Sequence, residues 1–385
     1  MSIRKPLAVV AGRRTPMAKA FTKLADVNAV TLGTHAVNAT VQEAAKQADR
    51  LSISEIDELV MGNVAGPPDA ANIARVIALT AGMPDSRVAH TVNRNCASGM
   101  ESILSAWDSI ESGRSNLVIA GGTESMSDIP MLFHQDAAKV WMRLARSKTM
   151  MQKLRCLAAF RPKHFKPVIG VQLGLTDPVS GLNMGQTAEV LAKEFSISRD
   201  EQDAFAVESH RRAAEARERC FLSGEVAPIE NRMEKDNGPR EQQSMEQLAR
   251  LRPIFEKGGT VTPGNSCPLT DGAATLLLTD LDHGKRFAEP LGYITHLSVA
   301  GCDPRRMGLG PVYATAKLLR ETGYSLNDFD LIELNEAFAA QVIACKRAFE
   351  STEFARKELD RDRPLGTIDE RKLNPNGGAI ALGHP

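Results

Sequence analysis

Apolar residues in the first third of the chain alternate between short continuous blocks and stretches where they recur every three or four positions. LAVVAG (7–12) reads as a buried strand, and AVTLGTHAVNATVQEAAKQ (29–47) as an amphipathic helix. ELVMGNV (58–64) is a second strand, followed by a helical stretch through Ile73, Val76, Ile77 and Thr80. HTVNRN (90–95) then leads into a helix with Met100, Ile103, Leu104, Trp107 and Ile110 at helical spacing, and LVIAGG (117–122) closes the series. This alternation predicts an α/β fold with a mostly parallel sheet.

From about Ser125 to Arg252 the sequence is rich in Met, Arg and Gln and helical in texture, which predicts an inserted, mainly helical domain. The α/β rhythm returns after TVTPGNSCPLTDGAATLLLTD (260–280). A strand is expected at 291–301, a helix at 311–323, a strand entering a helix at 330–338, and a strand followed by a turn at 372–385. The boundaries implied are 1–124, 125–252 and 253–385. DELVMGNV (57–64) matches FDLIELNE (329–336) in pattern, and HTVNRNCASGM (90–100) matches KLNPNGGAIALGHP (372–385) in place. Two similar βαβαβ-type halves follow from that repeat, and the second half is expected to lack about one helix and one or two strands.

Composition narrows the function without fixing it. The 385 residues are 43% hydrophobic and 24% charged, the balance of a globular protein with a large core. Lys plus Arg equals Asp plus Glu at 47 each, so no global field favours nucleic acid. No apolar run is long enough to span a membrane, and the N-terminus does not have the form of a signal or transit peptide. The six cysteines are scattered without C-x-x-C spacing, which argues against a metal site or a disulfide framework and for a reducing cytoplasm.

Three short motifs could carry chemistry. VNRNCASGM (92–100) places Cys96 between a strand and the first turn of a helix, where free N–H groups and the helix end favour a thiolate. The alternative is a small core cysteine at a tight junction. NEAFAAQ (335–341) puts Asn335 and Glu336 at a strand end, as ligand groups or as helix caps. GGAIALGHP (377–385) carries His384 on a glycine-rich turn.

Together these motifs resemble the thiolase family. So do GRRTPMAKA (12–20), NMGQTAEVLAKEF (183–195) and the 260–274 stretch, all in the family's order. The resemblance covers the whole chain and is strongest to the fatty-acid-oxidation 3-ketoacyl-CoA branch that pairs with a multifunctional hydratase/dehydrogenase. Asn183 before Met184, the basic insert and FARKELDRDRPLGTIDERK (354–372) point to that branch.

The resemblance implies a layered α-β-α-β-α core with an inserted loop domain. It implies Cys96 as nucleophile, His384 as its base, and a water on Asn335 that shares an oxyanion hole with the histidine. The Cys96 N–H would serve a second hole, and Glu336 would orient the histidine or the water. Met184, Cys267, Gly264 and Phe338 become substrate- or CoA-binding positions; Cys267 stands where relatives often have serine. CoA is a substrate, with no further cofactor and no metal. The partners implied are 3-ketoacyl-CoA and CoA, a second copy in a homodimer, and a hydratase/dehydrogenase subunit. A catalytically impaired acyl-CoA-binding or scaffold subunit and an acetoacetyl-CoA thiolase are the competing readings.

Relatives also carry a second catalytic cysteine in a C-x-G motif beyond G-H-P, so the sequence ending at Pro385 is expected to be C-terminally incomplete. Cys302 and Cys345 lie upstream and do not match that motif.

The stretch 139–167 holds nine Lys and Arg and no acid, with Trp141, Leu144, Met151, Leu154, Leu157 and Ala158 able to line one helical face. It suits CoA phosphates, an anionic membrane surface or a partner subunit, against the plainer reading of a solvated charged face.

Overall fold

The apolar block at 7–12 becomes β1 (Leu7–Arg14) of a mixed sheet. The structure is a computed structural model that describes residues 4–48, 51–287 and 289–385. Along the first third follow β2 (Ala18–Lys19), α1 (Ala29–Ala45), β3 (Glu58–Gly62), α2 (Ile73–Thr80), β4 (Val88–Val92), α3 (Ser98–Glu111) and β5 (Leu117–Ser125). Next come β6 (Met131–Leu132), α4 (Gln135–Arg146), α5 (Met150–Ala158), β7 (Val168–Ile169), α6 (Gly170–Gly174), α7 (Met184–Glu194), α8 (Arg199–Glu218) and α9 (Met245–Ala249). The last third holds β8 (Thr270–Asp280), α10 (Leu281–Gly284), β9 (Gly292–Ile294), α11 (Gly310–Thr322), α12 (Ala339–Glu350), α13 (Thr352–Glu358) and α14 (Ala379–Leu382). Among the described residues, no helix is long and apolar enough to cross a membrane.

The large sheet runs β4-β3-β5-β8-β1-β9, with β2 also on β8. β3 is parallel to β4 and β5, whereas β8 is antiparallel to both β5 and β1, and β9 to β1. The sheet is therefore mixed, not mostly parallel. The chain leaves β5 for a long excursion before β8 and re-enters from the other end, free of the βαβ crossover that fixes direction. Alternation along the strands separates two cores. Leu59, Met61 and Ile119 pack with α1 and α2, while Val60 and Val118 pack with Trp107 and Ile110 of α3.

The second half is less regular than its pattern predicts. The expected strand 291–301 is paired only over Gly292–Ile294. The stretches 330–338 and 372–385 meet in one parallel bridge, Ile332 with Leu373. The reason is local: Asn374 turns left-handed (φ 43°), and its side-chain amide takes both backbone groups of Leu334, at 2.8 Å each. A side chain thus fills the next rung of the ladder. The end of the chain forms the helical turn α14, not a plain turn.

The expected insert 125–252 divides. Ile129–Thr176 forms a compact unit of its own, and Asp177 onward packs with the remainder. Leu191 and Ala192 of α7 share a core with Val261, Leu309, Val342 and Phe349, so apolar packing assigns α7 to the second half. Inside the small unit the basic stretch is two helices, because Thr149 starts α5 with a capping box closed by Gln152. Trp141 of α4 packs edge-on against Phe160, with ring centroids 4.8 Å apart.

Glu58 fastens α3 to the sheet. Burial would raise its pKa, but hydrogen bonds from His90, Ser109 and Ser115 overcome this and hold it at about 2. A depressed carboxylate pKa gives stability that is present above pH 4.5 and fades as pH falls toward 2. Glu58→Gln should therefore cost about 2 kcal/mol at pH 7, allowing for solvent screening. In urea titrations the gap from wild type should close in acid.

Candidate active site

Cys96 lies where β4 hands over to α3. Asn95 takes a left-handed conformation (φ 48°) that turns the chain into the helix. The Ser98 hydroxyl fixes this turn, donating to the Asn95 carbonyl at 2.6 Å and accepting from the Arg94 N–H at 2.9 Å. Gly62 at the end of β3 lets the turn sit on the strand, since a Cβ there would come within 2.6 Å of the Ser98 carbonyl carbon. Cys96 is solvent-accessible. Even so, desolvation by the surrounding protein pushes its thiol above the ordinary value, opposed by its own backbone N–H. The helix end does not outweigh that cost, so the thiol stays protonated and needs a base.

A single segment, Asn265–Thr270, ties the other motifs together. The Ala339 N–H donates to the Asn265 carbonyl at 2.9 Å, and the Cys267 N–H to the Ala337 carbonyl at 3.0 Å. Ser266 bridges Phe338, and Leu269 bridges His384. Residues from NEAF and from G-H-P thus meet the same short stretch. Gly383 makes the second contact possible with φ 106°, and a Cβ there would lie 2.4 Å from Thr270 Oγ1. Burial lowers the His384 pKa below 6.5, so at neutral pH its imidazole is uncharged and able to accept a proton.

Glu336 is buried, with 1% exposure. It accepts from Ser209 Oγ (2.6 Å), Asn374 Nδ2 (2.8 Å) and the Ile380 N–H (3.2 Å). Burial raises its pKa against those donors. Its contacts are with α8 and the turn before His384, which makes it a brace for that turn. Asn335 beside it is exposed.

Cys267 is pushed up to about 12, by burial first and then by electrostatic coupling to nearby Cys96 and Glu336, so it is inert as an acid or nucleophile. Phe338 is buried and meets Phe255 edge-on at 6.0 Å, with Met184 partly buried against the same core. Gly264 is buried beneath Leu248 and Leu251. Asn183 caps α7 by accepting from the Gln186 N–H. Cys345 is fully buried and pushed up to about 12, and Cys302 is raised as well.

Two residues of the site escape sequence reasoning. Asn374 lies in the quoted KLNPNGG stretch, yet nothing in its context marks its amide as the clamp on Leu334 and Glu336. Ser209 is one small polar residue on a long polar helix and gives no signal at all.

A catalytic cysteine candidate at a strand–helix junction, close to Cys267 on the segment that His384 also bridges, defines an acyl-transfer class of site. Sequence comparison makes the family definite. The thiolase N-terminal domain matches residues 7–282 and the thiolase C-terminal domain residues 288–385. The chain belongs to the thiolase family. It is 40% identical to the 3-ketoacyl-CoA thiolase of Aeromonas salmonicida and 40% to that of Colwellia psychrerythraea, in each case over 98% of this chain and 87% of the relative. Among solved structures, the human mitochondrial 3-ketoacyl-CoA thiolase in complex with CoA superposes with a TM-score of 0.83 at 35% identity, covering 100% of this chain and 88% of that one. The Bacillus anthracis acetyl-CoA acetyltransferase gives 0.83 and 35%, with 100% and 89% covered.

The raised Cys96 pKa has a direct readout. Alkylation by iodoacetamide should keep accelerating as pH rises past the ordinary thiol value of about 8.5. A rate that levels off near pH 6 would contradict it; peptide mapping identifies the modified cysteine.

Proposed function

We propose that the protein cleaves 3-ketoacyl-CoA by thiolysis through an acyl-Cys96 intermediate. The observation that carries this reading is that Phe338 and His384 both bridge the short segment that carries Cys267, with Cys267 in the field of Cys96. The relatives named above, 3-ketoacyl-CoA thiolases by name, support the choice of substrate.

The chemistry follows from the protonation states. His384, neutral at pH 7, takes the thiol proton as the Cys96 sulfur bonds to the keto carbonyl carbon. A water on Asn335 shares with His384 the hole for the developing oxyanion. Collapse of the adduct breaks the Cα–Cβ bond, and the enolate of acetyl-CoA leaves and takes up the proton that His384 carries. A CoA thiol, its proton drawn off by His384, then attacks the Cys96 thioester; the Cys96 sulfur leaves and takes that proton, giving an acyl-CoA two carbons shorter and free Cys96. Glu336 is a positioning residue that holds the turn before His384. Met184, Cys267, Gly264 and Phe338 form the wall along which acyl and pantetheine groups lie. A homodimer, a hydratase/dehydrogenase partner and a cytoplasmic setting belong to the same proposal.

The small unit is the docking surface of this enzyme, and an anionic bilayer is the occupant it suits. Trp141, Met142, Met151, Leu154, Leu157 and Phe165 are exposed there. They lie within the stretch of nine Lys and Arg without an acid, so apolar anchors and complementary charge occur together.

Cys96→Ala should abolish the acyl-enzyme that intact-mass spectrometry detects after mixing with 3-ketoacyl-CoA. An unchanged adduct would sink the assignment, and acyl-CoA binding without any adduct would favour a scaffold subunit. His384→Ala should lower kcat roughly 10²–10⁴-fold. Because burial depresses the His384 pKa, the acid limb of kcat/KM should fall below pH 6.5, with activity kept at pH 6.5 itself. Co-sedimentation with vesicles rich in phosphatidylserine should exceed that with neutral vesicles and weaken with salt. Equal binding to both would overturn the bilayer assignment.

A further inference from the structure

The segment that joins the site motifs is itself held from below by a buried amide–carboxylate pair. Asn265 has 0% exposure, and each part of its side chain is used. Its Oδ1 accepts from the Thr262 N–H at 2.8 Å; its Nδ2 donates to Asp203 Oδ1 at 2.9 Å and to the Thr260 carbonyl at 3.2 Å. Asp203, on α8 and 1% exposed, is in turn paired with Arg199 at 2.7 Å. Arg199 also donates to the Leu248 and Leu251 carbonyls. The Asn265 backbone carbonyl holds the Ala339 N–H, directly after NEAF.

We propose that Asn265, clamped by Asp203, is a positioning residue for the thiolysis reaction. It sets the register of segment 265–270 against both the Asn335–Phe338 turn and the Leu269–His384 bridge. The inference rests on the thiolysis reading. Asn265 touches no reacting group; it acts through the backbone that carries the His384 contact and the Cys267 contact. A shift of this segment changes where the base and the Asn335 turn stand relative to each other. Of the proposed wall, Met184 on α7 stays in place, whereas Gly264, Cys267 and Phe338 move with the segment. The effect therefore falls on kcat as well as on KM, and misplacement on the scale of an ångström costs up to about 10²-fold.

The test exchanges donor and acceptor across the pair. Asn265→Asp sets two carboxylates against each other and should lower kcat at least tenfold, counting only Cys96 titratable by iodoacetamide. Adding Asp203→Asn restores one donor facing one acceptor and should recover a substantial part of that loss. Asp203→Asn alone keeps shape and removes one charge, and should lower kcat by a smaller factor, so it reports even if Asn265→Asp does not fold. Unchanged kcat per titratable Cys96 in the folded variants, with only a lowered melting temperature, would overturn the proposal. A loss in Asn265→Asp without recovery in the double variant would overturn it too. Wild-type protein that fails to thiolyse 3-ketoacyl-CoA would overturn the functional reading along with this one, which separates the two failures.

Discussion

A buried carboxylate must be given hydrogen-bond donors or lose its charge, and Glu336 is where this rule organises the molecule. Its three donors come from α8, from Asn374 and from the turn that opens α14. Satisfying one side chain therefore fixes three pieces of chain that are far apart in sequence. Asn374 serves twice, since the amide that donates to Glu336 also holds Leu334 in place of a longer strand pairing. The irregular second half and the placement of His384 have this common origin.

The electrostatics of the site follow from burial more than from the helix end. Desolvation pushes the Cys96 thiol up and the His384 imidazole down, so both groups rest in their neutral forms. A neutral thiol and a neutral base store no charge in the resting site. In the proposed reaction the proton moves only as the sulfur attacks, when the polar surroundings of the oxyanion have something to stabilise. Cys267 is held off the chemistry by the same burial.

Much of this could be read in the sequence. Strands β1, β3, β4 and β5 and the helices between them announce themselves by periodicity, whereas the two-residue β2 does not, and Cys96 falls at the junction its motif indicates. The strands of the second half were harder to place. Their apolar pattern predicts continuous pairing, but a single asparagine in a left-handed conformation ends the ladder after one bridge. Ser209, Asp203 and Asn265 gave no signal, because a short polar residue on a helix or loop looks the same whether it faces water or a buried carboxylate.

By itself the sequence determined the α/β character, the family and the candidate residues for the chemistry, since each depends on local spacing and residue type. Only the tertiary structure decided the direction of β8, the division of the stretch 125–252, and the convergence of Asn265–Thr270 with NEAF and G-H-P. Those depend on which distant groups must satisfy one another once water is excluded, and no local pattern encodes that pairing.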